Sequence, residues 1–403
     1  MRHNRVKKRK TVLFVAALAA GLALTGCASK KISVTAVAQD NFSGVAATEE
    51  GYYFMQPYIT GGLLIYYYPV GAKRSVVLCN KPDCTHSCEV SGCLHKADSS
   101  DCGFKNCDGY IRDENCPSSL NGIKCYAGKL YFMMTDDKGL GLYTIAADGS
   151  VRERVCIIDE NRQQNVGDFV ICKGYMYYEV NNYENSESVQ YIYKINLNKP
   201  SEKEPVFEKR GEYLVGRYFK GCDEGVFFSE VTQSTAEDNS IYEAYELFQI
   251  NDDGACDILG RDDVSGYTVT DGCVYYHSLN DAMLYRYDLN TKETAALYKT
   301  QDDMQYYIWY DSNYIYLDNI QGAHYYWFEH IDVERIITVL DRNGTFVADI
   351  RLDAPDDVNT ILYTRGCDEN YFIFTNLMNT CWYVYDKKNI GSQNNELIRI
   401  WGE

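Results

Sequence analysis

Nine side chains suited to soft-metal ligation or thiol oxidation fall between residues 79 and 116: Cys79, Cys84, His86, Cys88, Cys93, His95, Cys102, Cys107 and Cys116. Cys79-x4-Cys84-x-His86 with a following Cys supplies three thiolates and one imidazole, the donor set of a tetrahedral Zn(II) with Zn–S bonds of ~2.3 Å. Cys79, Cys84, His86 and Cys93 are expected to converge, because Pro82-Asp83 turns the chain between the first two thiols. In an oxidising compartment the same thiols pair as disulfides instead, and a loop without its own core needs some such staple. Fifteen of the sixteen cysteines remain besides Cys27, so complete pairing leaves a thiol over. Structural zinc or a similar metal, a disulfide staple, and thiol-redox or metal-carrier work are the three chemistries that fit. A catalytic zinc is disfavoured, since it keeps an open position and carboxylate company. The remaining cysteines, from Cys125 to Cys381, are scattered through the chain and read as small buried hydrophobes.

A second group is aromatic: Trp309, His324, Tyr325, Tyr326, Trp327 and His330. Such rings stack on a sugar face or a peptide side chain while nearby carboxylates take hydrogen bonds, or they simply pack the core. Glu237, Asp238, Glu243 and Glu246 read as solvated surface, with no EF-hand spacing. The chain contains no Gly-x-Ser-x-Gly elbow, no His-Glu-x-x-His and no Walker loop.

The elements that must position these groups repeat along the chain. A turn followed by an aromatic strand recurs seven times, ending at Phe54, Phe132, Tyr178, Phe228, Tyr276, Tyr316 and Phe374, mostly 40 to 50 residues apart. Each unit continues into an alternating strand that ends in an Asp/Asn/Gly turn, as in Leu284-Tyr285-Arg286-Tyr287-Asp288, with a further strand beyond. Four strands per unit of this length make a propeller blade. The expected fold is all-β, a seven-bladed β-propeller over residues 46–403, with six or eight blades as the alternatives. The 37 Tyr, 15 Phe and 4 Trp suit strands with one packed and one wet face. The first step is 78 residues, and its excess is the cysteine-rich insertion 79–116, which follows blade one and is expected near the mouth of the central channel. The longest loops within blades are expected at residues 179–190, 230–246 and 318–335.

Residues 1–26 carry six basic residues and an apolar run, Thr11 to Leu24, too short for a comfortable span, which marks a signal peptide. Leu24-Thr25-Gly26-Cys27 resembles the bacterial lipobox, which implies that Cys27 becomes a diacylglycerylated N-terminus, with 27–45 as a tether. Acyl chains at ~0.8 kcal/mol per buried methylene then hold the domain to the extracytoplasmic face of the cell membrane. Without residues 1–26 the chain keeps 33 of its 39 basic residues and all 57 acids, a net charge of −24. That field repels phosphate, so nucleic acid is excluded as a partner.

Leu78-Cys79-Asn80-Lys81-Pro82-Asp83-Cys84-Thr85-His86 resembles a segment of uncharacterised propeller-type lipoproteins of Gram-positive anaerobes. The resemblance covers the signal, this stretch and the blade rhythm, and implies a further cysteine after the His, here Cys88 or Cys93. In rhythm alone the blades are similar to YWTD, TolB and PQQ-like propellers, without their diagnostic signatures. The expected function is a membrane-anchored lipoprotein whose propeller binds a glycan, a peptide or an envelope protein. The alternatives are a metal- or thiol-redox-handling protein built on the insertion, with Zn(II) as the cofactor, and a carbohydrate-active propeller enzyme.

Overall fold

Seven antiparallel sheets, each built from consecutive strands, form the blades of a β-propeller. The computed structural model describes residues 41–57, 62–82, 84, 107–112, 115–116, 122–160, 165–184, 187–211, 213–235, 241–251, 254–302, 304–319, 335–352, 362–376, 380–392 and 394–402. Blade 1 is β1 (Val45–Ala47), β2 (Gly51–Pro57), β3 (Leu63–Pro69) and β4 (Val76–Val77), joined by β5 (Tyr110–Ile111). Blade 2 is β6 (Ile123–Tyr126), β7 (Lys129–Asp136), β8 (Gly139–Ile145) and β9 (Arg152–Asp159); blade 3 is β10 (Asn165–Cys172), β11 (Tyr175–Glu184), β12 (Glu187–Asn196) and β13 (Lys199–Gly211). Blade 4 is β14 (Tyr213–Cys222), β15 (Gly225–Thr235), β16 (Ile241–Asn251) and β17 (Gly254–Asp257); blade 5 is β18 (Val264–Thr270), β19 (Cys273–Ser278), β20 (Met283–Asp288) and β21 (Thr294–Lys299). Blade 6 is β22 (Tyr307–Tyr310), β23 (Tyr314–Asp318), β24 (Ile336–Asp341) and β25 (Phe346–Arg351); blade 7 is β26 (Leu362–Cys367), β27 (Tyr371–Asn376), β28 (Trp382–Asp386) and β29 (Ile398–Trp401).

The seven aromatic anchors each lie in the second strand of a blade, sandwiched between sheets. Phe54, Phe132, Tyr178, Tyr276, Tyr316 and Phe374 are fully buried, and each such ring contributes about 1.5–3 kcal/mol of apolar burial. The outermost strands stay wet, as in β13 and β25, where most side chains face solvent. This gradient from dry inner strands to wet outer ones explains the aromatic rhythm of the sequence. Among the described residues the helical content is confined to 3-10 turns, as at Lys387–Asn389, and no helix is long and apolar enough to cross a membrane.

Among the described residues no strand is exchanged between the ends of the ring, and side chains and short backbone contacts join them. Asn41 Nδ2 donates to the carbonyls of Tyr310 and Cys367, both at 2.6 Å, and Phe42 bridges to Gly366. At the outer edge Ser75 donates its N–H and its hydroxyl to Ile400 O. Between them Trp382 stacks on Phe54 at 4.4 Å and donates Nε1–H to Gln56 Oε1 at 2.7 Å. The ring is thus engaged from Asn41 onward.

Two expected loops are strands. Residues 179–184 pair with 187–192, and 230–235 pair with 241–246, so blades 3 and 4 carry extended hairpins. Their polar residues include buried ones, Glu179, Gln190 and Glu230, held within the paired strands. The third expected loop, within 318–335, falls almost entirely outside the described residues.

Candidate functional site

The cysteine-rich segment leaves and rejoins the protein at one place. Both limbs pair with β3: Tyr66 and Tyr67 face Val77 and Val76 of β4, while Leu63 and Leu64 face Ile111 and Tyr110 of β5. Between the two short strands Leu78 N–H donates to Ile65 O, and Ile65 N–H donates to Gly109 O. The insertion is therefore an excursion from the outer strand of blade 1. Its neck lies at the outer edge of that blade rather than at the channel mouth expected from loop order, because the returning limb adds itself to β3 before the chain enters blade 2.

Blade 2 holds the neck in place. One guanidinium nitrogen of Arg152 donates to Asp108 O at 3.2 Å and to Tyr110 O at 2.9 Å. Gly109 and Gly149 allow the close approach: a Cβ on Gly109 would meet Leu78 O at 2.2 Å, and one on Gly149, at φ +75°, would meet the Leu78–Cys79 backbone at 2.8 Å. Lys81 and Asp108 form an ion pair of 3.2 Å across the two limbs.

This neck brings three thiols together. The Sγ atoms of Cys79, Cys84 and Cys107 all lie within 4.8 Å of one another. Cys84 is delivered by the turn Lys81–Cys84, closed by Cys84 N–H to Lys81 O at 3.2 Å, the turn that Pro82 sets. Cys107 is 5% exposed and packs against Leu64, with Tyr66, Val77 and Tyr110 around it. Burial, together with the hydrogen bond and the nearby charges of Cys79 and Cys84, pushes its thiol well above the usual range. A bound dication reverses that preference, since thiolates are then the favoured state. In a tetrahedral zinc site sulfur atoms sit ~3.8 Å apart, given Zn–S of ~2.3 Å, so the trio needs only a small contraction. A disulfide between any two leaves the third thiol over beside it.

Of the sequence candidates, Cys79 and Cys84 meet as expected, and Cys107 joins them. His86, Cys88, Cys93, His95 and Cys102 lie outside the described residues. Cys116 goes elsewhere: it packs against the apolar core shared by blades 1 and 2, with its Sγ 3.4 Å from Arg112 O. Among the scattered cysteines, Cys125, Cys172, Cys367 and Cys381 are buried as expected, whereas Cys256 is exposed. The sequence signal for Cys107 is the turn-and-strand string Cys107-Asp108-Gly109-Tyr110-Ile111.

Trp309 is the one aromatic candidate among the described residues; His324, Tyr325, Tyr326, Trp327 and His330 lie outside them, as does Cys27. Its side chain sits on β22, where it both joins the core of blades 6 and 7 and lines a cavity on the ring axis. His277 looks at first like a base beside a nucleophile, with Nδ1 2.7 Å from Ser265 Oγ. Thr300 donates its hydroxyl to Ala282 O at 2.8 Å, so His277 Nε2 carries the proton that Thr300 Oγ1 accepts, leaving Nδ1 to accept from Ser265. Both Ser265 and His277 are fully buried, so this is a satisfied core histidine.

No protein-family model and no curated protein matches the sequence. Solved structures do match in shape. A puromycin hydrolase crystal structure aligns at TM-score 0.53 and 10% identity over 90% of this chain, which spans 54% of that one. The β-propeller domain of the trilobed protease from Pyrococcus furiosus aligns at TM-score 0.44 and 8% identity, covering 92% of this chain and 99% of that domain. The chain thus spans about half the length of the puromycin hydrolase it resembles, and at such identities the likeness is one of fold alone.

Proposed function

We propose that this protein is a binding scaffold, anchored through a lipid on Cys27 at the extracytoplasmic face of the membrane, whose cysteine-rich insertion is fixed to blade 1 by a structural metal centre. A propeller is suited to this role, because a rigid ring displays loops while its core stays closed. The observation that carries the reading is the meeting of three soft donors, from both limbs of the insertion, within 4.8 Å. Zn(II) is the ion that best suits such a donor set, with the fourth ligand drawn from residues 85–106, where His86 stands two residues beyond Cys84. Among the described residues three thiols converge, an odd number, which favours this over a disulfide staple, which uses sulfurs in pairs.

Elemental analysis combined with thiol titration of the mature protein tests the proposal. One zinc per chain is expected, with Cys84→Ser releasing it and opening residues 79–116 to protease while the blades resist. Paired cysteines without metal, before and after substitution, would return the insertion to the disulfide reading.

A further inference from the structure

The peptide between Asp108 and Gly109 connects the cysteine centre to blade 2. Tyr110 N–H donates to Cys107 O at 3.2 Å and closes the turn 107–110, inside which the Gly109 N–H donates to Cys107 Sγ. On the far side of the same peptide, Asp108 O accepts from a guanidinium nitrogen of Arg152 at 3.2 Å, and Tyr110 O accepts from that nitrogen at 2.9 Å. A trans peptide points its C=O and its N–H in opposite directions, so holding Asp108 O aims the Gly109 N–H at the sulfur. A cation on the carbonyl also polarises the amide and makes it the better donor. Arg152 is thus linked to Cys107 through one rigid plane.

The charges around the trio suit a loaded site. Three thiolates and a dication leave one net negative charge. Lys81 and Asp108, an ion pair of 3.2 Å, offset each other. Arg152 keeps its proton at every ordinary pH, and its electrostatic neighbours are the Asp108 carboxylate, the Tyr143 hydroxyl, the Cys107 thiol and the like-charged Arg112. The second arginine of β9 behaves differently: Arg154, two residues along, pairs with Asp136 of β7 and so serves its own blade. Gly149, just ahead of β9, packs against the Leu78–Cys79 backbone, so blade 2 touches both limbs of the neck.

We propose that Arg152 is a positioning residue of the metal centre, supplied by blade 2: it aims the Gly109 N–H at the Cys107 thiolate and balances the negative charge of the loaded site. This inference rests on the metal reading of the three-thiol group. Its consequence is linkage, because a guanidinium that favours the metal is itself held more firmly once the metal is bound. Metal loading and the docking of blade 2 on the neck therefore strengthen each other.

Chelator competition on the full chain, with zinc for affinity and Co(II) for the spectrum, tests the assignment. Arg152→Met is expected to weaken zinc by about tenfold. It should also move the thiolate-to-Co(II) charge-transfer band to longer wavelength, because electrons on sulfur are held less tightly once the guanidinium charge is gone. Arg152→Lys keeps the charge and is expected to recover most of both, whereas Arg154→Met should leave both at wild-type values. Arg152→Gln keeps donors but loses the charge, and it decides the matter should Arg152→Met fail to fold. Unchanged affinity, a band that fades without shifting, or no recovery in Arg152→Lys would each overturn the role of Arg152 while zinc in the wild-type chain still upheld the metal centre. A wild-type chain without zinc would overturn both.

Discussion

Lys387 and Asp311 form a buried ion pair between blades 7 and 6, with Nζ 2.7 Å from Oδ2 and each side chain 4% exposed. The ammonium also lies over the rings of Tyr316 and Phe372, at 4.2 and 4.9 Å, and Tyr316 donates its hydroxyl to the same carboxylate oxygen. Such a pair gives little net stability over an apolar substitute, but removing one partner strands the other charge. Lys387→Met and Asp311→Asn are each expected to cost about 3–5 kcal/mol, and the double variant less than the sum, as read from urea midpoints. Burial alone would raise the Asp311 carboxyl. The Lys387 charge and the hydrogen bonds from Lys387, Tyr316 and the Asn313 backbone outweigh it and hold the group below the ordinary carboxylate range. The stability it contributes is therefore present above about pH 4, the unfolded value, and is lost as pH falls through the lower folded value. Asp311→Asn should remove that acid-labile component.

The blades were legible because the early part of each second strand is packed between sheets, which draws two or more aromatics into every one of them and leaves a rhythm in the chain. The metal-centre candidate was legible only in part. Spacing arguments favour ligands close in sequence, and they found Cys79 and Cys84. Cys107 is brought to them by the pairing of Tyr110 and Ile111 with β3, a two-residue contact too short to leave a pattern. The hairpins of blades 3 and 4 were hidden for the opposite reason. Glu179, Asn181 and Gln190 form a polar cluster within paired strands, joined by hydrogen bonds of 2.7 and 2.8 Å to Glu179 Oε1, and polar composition alone reads as loop.

His277 makes the fold sensitive to mild acid. Burial outweighs the nearby carboxylates of Asp281 and Asp263 and lowers its pKa to about 4. The unfolded chain binds the proton near pH 6.5 and the folded one does not until about pH 4, so stability is full above about pH 6.5 and declines as pH falls between those values. The loss over that interval is about 3 kcal/mol. Urea midpoints at pH 7 and pH 4.5 measure it, and His277→Gln should flatten the difference, at the cost of a lower plateau because Ser265 and Thr300 lose their shared partner.

Anchoring through Cys27 predicts a change in partition rather than in folding. Cys27→Ala should leave the precursor unacylated and shift the protein out of the detergent phase, with the strand content by far-UV spectroscopy unchanged. An unaltered detergent partition would remove the lipid anchor from the proposal.

The two cysteines that bracket the returning limb of the insertion should behave differently. Cys107 shares its surroundings with Cys79 and Cys84, whereas Cys116 packs against the apolar core that also holds Tyr53, Ile111 and Phe132. Cys107→Ser is expected to cut zinc content to a small fraction of one per chain, because a hydroxyl is a poor replacement for one of three thiolates. Cys116→Ser should keep the metal, and lose about 1 kcal/mol of stability from placing a hydroxyl beside apolar side chains. Zinc content of the two purified variants, measured beside their urea midpoints, separates the roles. Equal metal loss in both would mean that Cys116 reaches the centre and that the three-thiol grouping is not the one that binds.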